Sequence, residues 1–235
     1  MANICIIPAR GGSKRIPRKN IKPFCGKPII AYSIEAALSS KLFDEVMVST
    51  EDEEIAELSL QYGAKVPFLR TIDNADDHAT TSDVILEVLS TYKNEGKIFD
   101  LVCCCYATAP LIASQKLKEG LSLLLGKNAS VVFPILEYSY PIQRCLKLTK
   151  ENRLSMNWIE FINTRSQDLE KLYHDAGQWY WIKAADFMRE KKILMNNTFG
   201  LIVNPLEAHD IDNETDWRIA EFKYEYLQGT KHSNL

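Results

Sequence analysis

The chain has 235 residues, 46% of them hydrophobic and 25% charged, with a formal net charge of -3 at pH 7. That suffices for one substantial core, no run approaches the ~20 apolar residues of a membrane span, and the slight acidity argues against a general nucleic-acid surface. The opening Met-Ala-Asn-Ile-Cys lacks a secretory pattern, and the 6 cysteines include no C-x-x-C pair, so a reducing, cytoplasmic setting is expected.

In chain order, residues 3–7 read as a buried strand. It empties into Ala9-Arg10-Gly11-Gly12-Ser13-Lys14-Arg15-Ile16-Pro17-Arg18-Lys19-Asn20. The glycine pair lets backbone N–H groups approach an anion, and Arg10, Lys14, Arg15, Arg18 and Lys19 cluster cations in one segment stiffened by Pro8 and Pro17. At the carboxyl end of a first strand, such a loop is suited to a polyphosphate. The plain alternative is a solvated basic turn. Neither a GxxxxGK[ST] loop nor a GxGxxG fingerprint is present, so a triphosphate would be held in another way.

A helix is predicted over 28–39, with Pro28 in its first turn. A strand follows at 44–49, a helix at 52–62 before Gly63, and a short strand at 65–68. The next helix covers 81–92, with Thr81 or Ser82 near its start. Strand 101–106, helix 114–125 and strand 130–135 complete the first half. Cys103, Cys104 and Cys105 alternate faces within a strand, which disfavours pairing and makes them core residues. The alternation predicts a Rossmann-like three-layer α/β/α sandwich with a mostly parallel sheet.

The pattern breaks over 137–178, a polar, aromatic-rich, poorly periodic stretch. We read it as an arm that packs on a partner subunit in a homodimer. The alternative is an insertion folded back on its own domain. The catalytic domain then comprises 1–136 and 179–235, with a strand at 179–182, a helix at 184–189, a strand at 199–203 and a helix at 215–227. Residues after Gln228 are expected to be disordered. In His209-Asp210-Ile211-Asp212-Asn213, an extended backbone places Asp210 and Asp212 on one side. Two hard oxygen ligands suit Mg²⁺. Helix capping by Asn213 or Asp212 is the alternative reading.

Together these residues resemble the CMP-sugar synthetase group, which includes the acylneuraminate cytidylyltransferases. The loop matches A-R-x-x-S-K-x-x-x-x-K-N in full. Val48-Ser49-Thr50-Glu51-Asp52, Arg70, Asp77-His78-Ala79-Thr80-Thr81, Ala107-Thr108-Ala109-Pro110-Leu111 and Asp210-Ile211-Asp212 follow in order. Within the group, the resemblance is to the pseudaminic acid branch. It rests on Tyr106-Ala107-Thr108-Ala109-Pro110, on Tyr138-Ser139-Tyr140-Pro141-Ile142-Gln143-Arg144, and on Tyr173 through Trp181. The sialic acid pattern is departed from at Ile112 and Gln143.

The resemblance implies transfer of CMP from CTP to the anomeric hydroxyl of a nine-carbon keto-sugar acid, with pyrophosphate released and the product used in surface or flagellin glycosylation. Arg10, Gly11, Ser13 and Lys14 would meet the phosphates, Lys14 nearest the reacting one. Asn20 would hold the nucleotide, and Arg70, Ala79 and Thr81 would line the cytosine pocket. Asp210 and Asp212 would hold Mg²⁺. Tyr106, Gln143 and His174 belong to the sugar side, and Arg144 or Arg165 would meet its carboxylate. His78, His209 and His232 carry no independent assignment. A sialic or legionaminic acid synthetase and a Kdo-activating enzyme are the alternatives within this chemistry. A non-catalytic nucleotide-binding module of the same fold is the alternative outside it. An oxidoreductase would need the missing dinucleotide fingerprint.

Overall fold

A computed structural model describes residues 1–71, 74 and 79–232, the last two as backbone only. The strands come from short runs of apolar and β-branched residues. They are β1 Asn3–Pro8, β4 Glu45–Ser49, β5 Leu101–Cys105, β6 Val131–Glu137, β9 Tyr173–Asp175, β10 Trp179–Lys183 and β11 Thr198–Ile202. Two small hairpins stand outside the sheet, β2 Pro23–Phe24 with β3 Lys27–Pro28 and β7 Leu146–Leu148 with β8 Leu154–Met156. The helices are α1 Ile29–Ser40, α2 Glu53–Gln61, α3 Thr81–Asn94, α4 Ser114–Gly126, α5 Ala184–Glu190 and α6 Glu214–His232.

The main sheet runs β11-β6-β10-β5-β1-β4, with β9 also on β6. β1, β4, β5, β6 and β11 share one direction, whereas β10 and β9 oppose it. The mostly parallel sheet is therefore as expected, with an antiparallel strand between β5 and β6.

Period-two alternation along the strands divides the core. Cys5, Ile7, Val46, Val48, Cys103, Cys105, Trp179 and Trp181 face α1, α2 and α4. Ile4, Ile6, Met47, Val102, Cys104, Tyr180 and Ile182 face α3 and α5. The consecutive cysteines are free and buried, in keeping with a core role. A third cluster joins Ile16, Phe24, Ile29, Tyr32, Ile211, Trp217 and Ala220. It fastens the cationic loop to the segment before α6.

Several local expectations need correction. The predicted strand at 65–68 is a single bridge, Met47 to Lys65, because Pro67 has no N–H to extend the ladder. Pro28 ends β3 and stands at the N-cap of α1, outside its first turn. Thr80, before both predicted starts, caps α3 through a reciprocal box with Asp83. The chain after Gln228 continues as helix to His232; Gly229 weakens a helix without stopping it.

In the arm, 137–178, the structure places the β7–β8 hairpin, three short 3-10 turns and β9. Tyr140, Leu146, Leu148, Leu154 and Ile159 are exposed there.

Gly120 lies inside α4, where alanine normally stabilises a helix by about 1 kcal/mol. A Cβ here would stand 2.6 Å from Trp179 Cζ3 and 3.0 Å from Trp181 Cδ1. Both rings are fully buried. Overpacking of this kind costs ~1–3 kcal/mol, so Gly120→Ala should lower the urea midpoint. A midpoint equal to or above wild type would show that α4 can shift away from the tryptophans.

Candidate active site

The carboxyl ends of β1 and β5 open into a cavity of about 420 Å³. Arg10, Ser13, Lys14, Asn20, Arg70 and Tyr106 all line it, and so do Arg15, Lys19, Ala107 and Thr108. Five cationic side chains thus face one space, an excess suited to a triphosphate.

The loop is held from below by the turn after β4. Ala9 N–H donates to Ser49 O at 3.0 Å. Gly11 N–H donates to Glu51 Oε1 at 2.8 Å. Glu51 Oε2 is buried without a hydrogen-bond partner among the described residues. Asn20 Nδ2 donates to Arg10 O at 2.8 Å, closing the loop on itself. Gly11 is hemmed in sterically: a Cβ would overlap the Asp52 carboxylate and lie 3.2 Å from its Cγ. The anion seen by its N–H is Glu51, so its part here is structural.

Arg18 departs from the expected cation cluster. It adopts a left-handed backbone (φ 53) and pairs with Asp52 and Glu54. That bidentate contact holds Asp52 below the usual carboxylate range, opposed by partial burial. Asp52 also caps α2, accepting from Ile55 N–H at 3.0 Å.

Arg70 is buried at 7% exposure. Its Nε donates to Ser49 Oγ at 3.1 Å, a second guanidinium nitrogen reaches Ser49 O, and its own N–H donates to Thr50 O at 2.8 Å. Burial lowers its pKa and the nearby Glu51 carboxylate opposes this. Thr81 opens α3, and its hydroxyl lies 3.1 Å from the Tyr106 hydroxyl. Ala79 is the residue before the Thr80 cap. Asp77 and His78 lie outside the described residues.

The acidic segment is tied to two of the cations that line this cavity, Arg15 and Lys19. Ile211 is fully buried in the third cluster, so alternation turns Asp210 and Asp212 the other way. Asp212 pairs with Arg15 at 2.8 Å, and Lys19 Nζ donates to Ile211 O at 2.6 Å. Partial burial, reinforced by the Asp212 charge, raises the Asp210 pKa, and Lys19 opposes the rise. Burial lowers the Lys19 pKa against the pull of both carboxylates. The capping role falls to Asn213, whose Oδ1 accepts from Thr215 and Asp216 N–H at 2.8 and 3.1 Å. Capping therefore does not occupy the Asp212 carboxylate. Two adjacent carboxylates beside a cationic cavity are a donor set that fits Mg²⁺, which completes its shell with water and phosphate oxygens.

Beyond Tyr106 lies a second cavity of about 410 Å³, lined by Phe133, Ile135, Tyr173, His174, Asp175, Tyr180, Ile193 and Leu194. Tyr106 and Tyr180 stand between the two, ring centroids 5.4 Å apart. Of the predicted sugar-side residues, only His174 lines it. His209 is held near Lys223 Nζ at 3.4 Å, away from any assigned role. Gln143, Arg144 and Arg165 sit on the arm and line neither cavity; Arg144 lines a further cavity of about 590 Å³ within the arm. Arg144 donates to Ser166 Oγ at 3.2 Å. Arg165 pairs with Asp168 at 2.7 Å. Gln143 donates to Glu170 O at 2.9 Å, leaving its buried Oε1 without a hydrogen-bond partner among the described residues.

Sequence reasoning placed Arg15 and Lys19 in the cation cluster without giving either a separate role, and did not assign Thr108, which stands within a quoted motif. It also did not assign Glu51 and Asp175, whose contacts are tertiary and leave no local pattern.

The profile of the family described as Cytidylyltransferase matches residues 4–214. A Campylobacter jejuni protein named pseudaminic acid cytidylyltransferase is 43% identical over 224 residues, covering 95% of this chain and 97% of that protein. A Legionella pneumophila protein named CMP-N,N'-diacetyllegionaminic acid synthase is 31% identical, with 94% and 95% covered. A Campylobacter coli protein named post-translational flagellin modification protein B is 30% identical, with 93% of each covered. Among solved structures, CMP:2-keto-3-deoxy-manno-octonic acid synthetase complexed with CTP superimposes with a TM-score of 0.69 at 17% identity. It covers 97% of this chain and 100% of that one, a likeness of fold. With the profile spanning the strands and loops that build the cavity, this chain belongs to the cytidylyltransferase family.

Proposed function

We propose that this enzyme activates pseudaminic acid with CTP, giving CMP-pseudaminic acid and pyrophosphate for surface or flagellin glycosylation. The observation that carries the reading is the cationic cavity, two of whose cations are tied to the Asp210–Asp212 segment, in a chain 43% identical to a pseudaminic acid cytidylyltransferase over 224 residues. The sugar's anomeric hydroxyl attacks the α-phosphorus in line, and negative charge builds on the phosphate oxygens. Catalysis then needs positioning and electrostatic stabilisation more than covalent chemistry.

Arg10, Ser13 and Lys14 hold the triphosphate, with Lys14 at the reacting phosphate. Asn20 fixes the loop and the nucleotide. Arg70, with the segment Ala79–Thr81, reads the base. Asp210 and Asp212 would hold Mg²⁺, which when bound supplies Lewis-acid polarisation of phosphate oxygens. The cavity beside Tyr106 receives the sugar's acyl substituents, within reach of His174. No helix among the described residues is long and apolar enough to cross a membrane, and the free thiols fit a cytoplasmic enzyme. Its partners are CTP, the sugar acid and a second copy of itself.

The arm supports that last assignment. It carries exposed Tyr140, Leu146, Leu148 and Leu154, which a two-fold interface would cover. Arg144 and Arg165, which do not line the nucleotide cavity of their own chain, would then serve the sugar carboxylate of the partner.

A panel of sugar acids offered with CTP and Mg²⁺ tests the reading by pyrophosphate release. Pseudaminic acid should give the highest kcat/KM, and EDTA should abolish turnover until Mg²⁺ is restored. Preference for sialic or legionaminic acid would reassign the substrate, and full activity in chelator would remove the metal.

Lys14→Ala should lower kcat by ~10²-fold or more, the usual loss on removing one stabilising donor. Asp212→Asn should also lower kcat, while circular dichroism stays unchanged because an exposed ion pair such as Arg15–Asp212 is worth only ~0–1 kcal/mol. A rise in KM for CTP alone in the Lys14 variant would make Lys14 a binding group only.

Mixing an inactive Lys14 variant with an inactive Arg144 or Arg165 variant should restore partial activity in exchanged dimers. A fully active monomer by light scattering, or no rescue after exchange, would reject the shared site.

A further inference from the structure

We infer that Asp175 is a positioning residue that sets the partition between the nucleotide cavity and its neighbour, and through it the fit of the acidic sugar; this rests on the cytidylyltransferase reading above. The line formed by β9 and β10 carries a bulge. Asp175 stands opposite Ile135 and Trp181 opposite Val132, so five residues on this line face two on β6. Bulges of this kind re-aim side chains next to active sites.

Both Asp175 carboxylate oxygens are committed. Oδ2 accepts the Tyr180 hydroxyl at 2.6 Å and Oδ1 accepts Gly177 N–H at 2.8 Å. The residue is therefore engaged as a brace, not poised as a base. Tyr180 leans on Tyr106 at 58°. Tyr106 lines the nucleotide cavity and Tyr180 lines the second. The orientation of the Tyr180 ring thus shapes both spaces, and burial with nearby charge keeps its hydroxyl a neutral donor.

The second bond acts through the backbone. Gly177 is held at φ +63, where a Cβ would sit 3.4 Å from Asp210 Cγ. The next residue, Gln178, is buried, and its carbonyl accepts Tyr106 N–H at 2.8 Å. One carboxylate consequently fixes the Tyr180 ring, the turn behind Asp210 and the carbonyl that holds Tyr106. These groups border the second cavity and the turn behind Asp210, whereas Arg70 on the cytosine side and Asn20 in the loop take their bonds elsewhere; Thr81 touches Tyr106 through the hydroxyl alone. Loss of Asp175 should then weaken the sugar more than the nucleotide.

The test compares Asp175→Ala, Asp175→Asn and Tyr180→Phe. In the alanine variant, KM for the sugar acid should rise about threefold to tenfold while KM for CTP stays within about twofold, the range for losing one part-buried and one exposed hydrogen bond to a charged acceptor. In the asparagine variant, the side-chain oxygen still accepts from Gly177 and the amide donates to the Tyr180 oxygen, so most of the sugar affinity should return. Tyr180→Phe should raise the sugar KM about threefold. Amide exchange at Gly177 should accelerate in Asp175→Ala and not in Asp175→Asn. Unchanged sugar KM in both Asp175→Ala and Tyr180→Phe, or a CTP KM rising in step, would overturn the inference. If Asp175→Ala fails to fold, Tyr180→Phe decides alone by the same measure. If wild type turns over no sugar acid, the functional reading falls by itself, and Gly177 exchange with calorimetric CTP binding still decides whether Asp175 braces this partition without disturbing the nucleotide.

Discussion

Packing of Ile16 and Ile211 into one apolar cluster with Phe24, Tyr32 and Trp217 is the contact on which the site depends. It joins the cationic loop to an acidic segment 192 residues away, as the Lys19–Ile211 bond measures. Phe24 meets Tyr32 and Trp217 edge to face at 5.4 and 5.5 Å. Burying one such side chain contributes ~1.5–3 kcal/mol. The exposed Arg15–Asp212 pair offers ~0–1 kcal/mol. The apolar cluster therefore sets the distance between cations and carboxylates, and the ion pair reports that distance without creating it.

The turn Ser49–Asp52 is a second organising point. Ser49 holds Arg70, Glu51 holds the Gly11 amide, and Asp52 holds both Arg18 and the start of α2. Base-side and phosphate-side elements are thereby referenced to one strand end. A movement of this turn would displace both together.

Chemistry concentrated in contiguous residues was legible in the sequence. The loop from Arg10 to Asn20 shows its clustered charge in the chain itself, and the common side of Asp210 and Asp212 follows from period-two alternation about a buried Ile211. The buried strands were legible because both sheet faces are covered, so their apolar runs are unbroken. What escaped was partner choice. Arg18 looks like its neighbours in sequence, but its left-handed backbone aims it at Asp52 and Glu54. The strand expected at 65–68 followed from apolar composition and failed on Pro67. The antiparallel sense of β10, and the joint work of Asp175 and Tyr180, come from pairings that periodicity does not encode.

The place of β10 in the sheet bears on how the chain assembles. Among the described residues it alone joins β5 to β6, and it follows the whole arm in sequence. During synthesis, β1, β4 and β5 can pair as a three-stranded unit, but the β6 side has no seat beside them until residue 183 has emerged. Until then β5 presents an open, apolar edge of the kind that invites mispairing. Closing the sheet requires non-local contacts with a high loop-closure entropy, which makes the late step slow. Nascent chains of this architecture thus spend their vulnerable interval while the arm is still emerging and the central strand is missing.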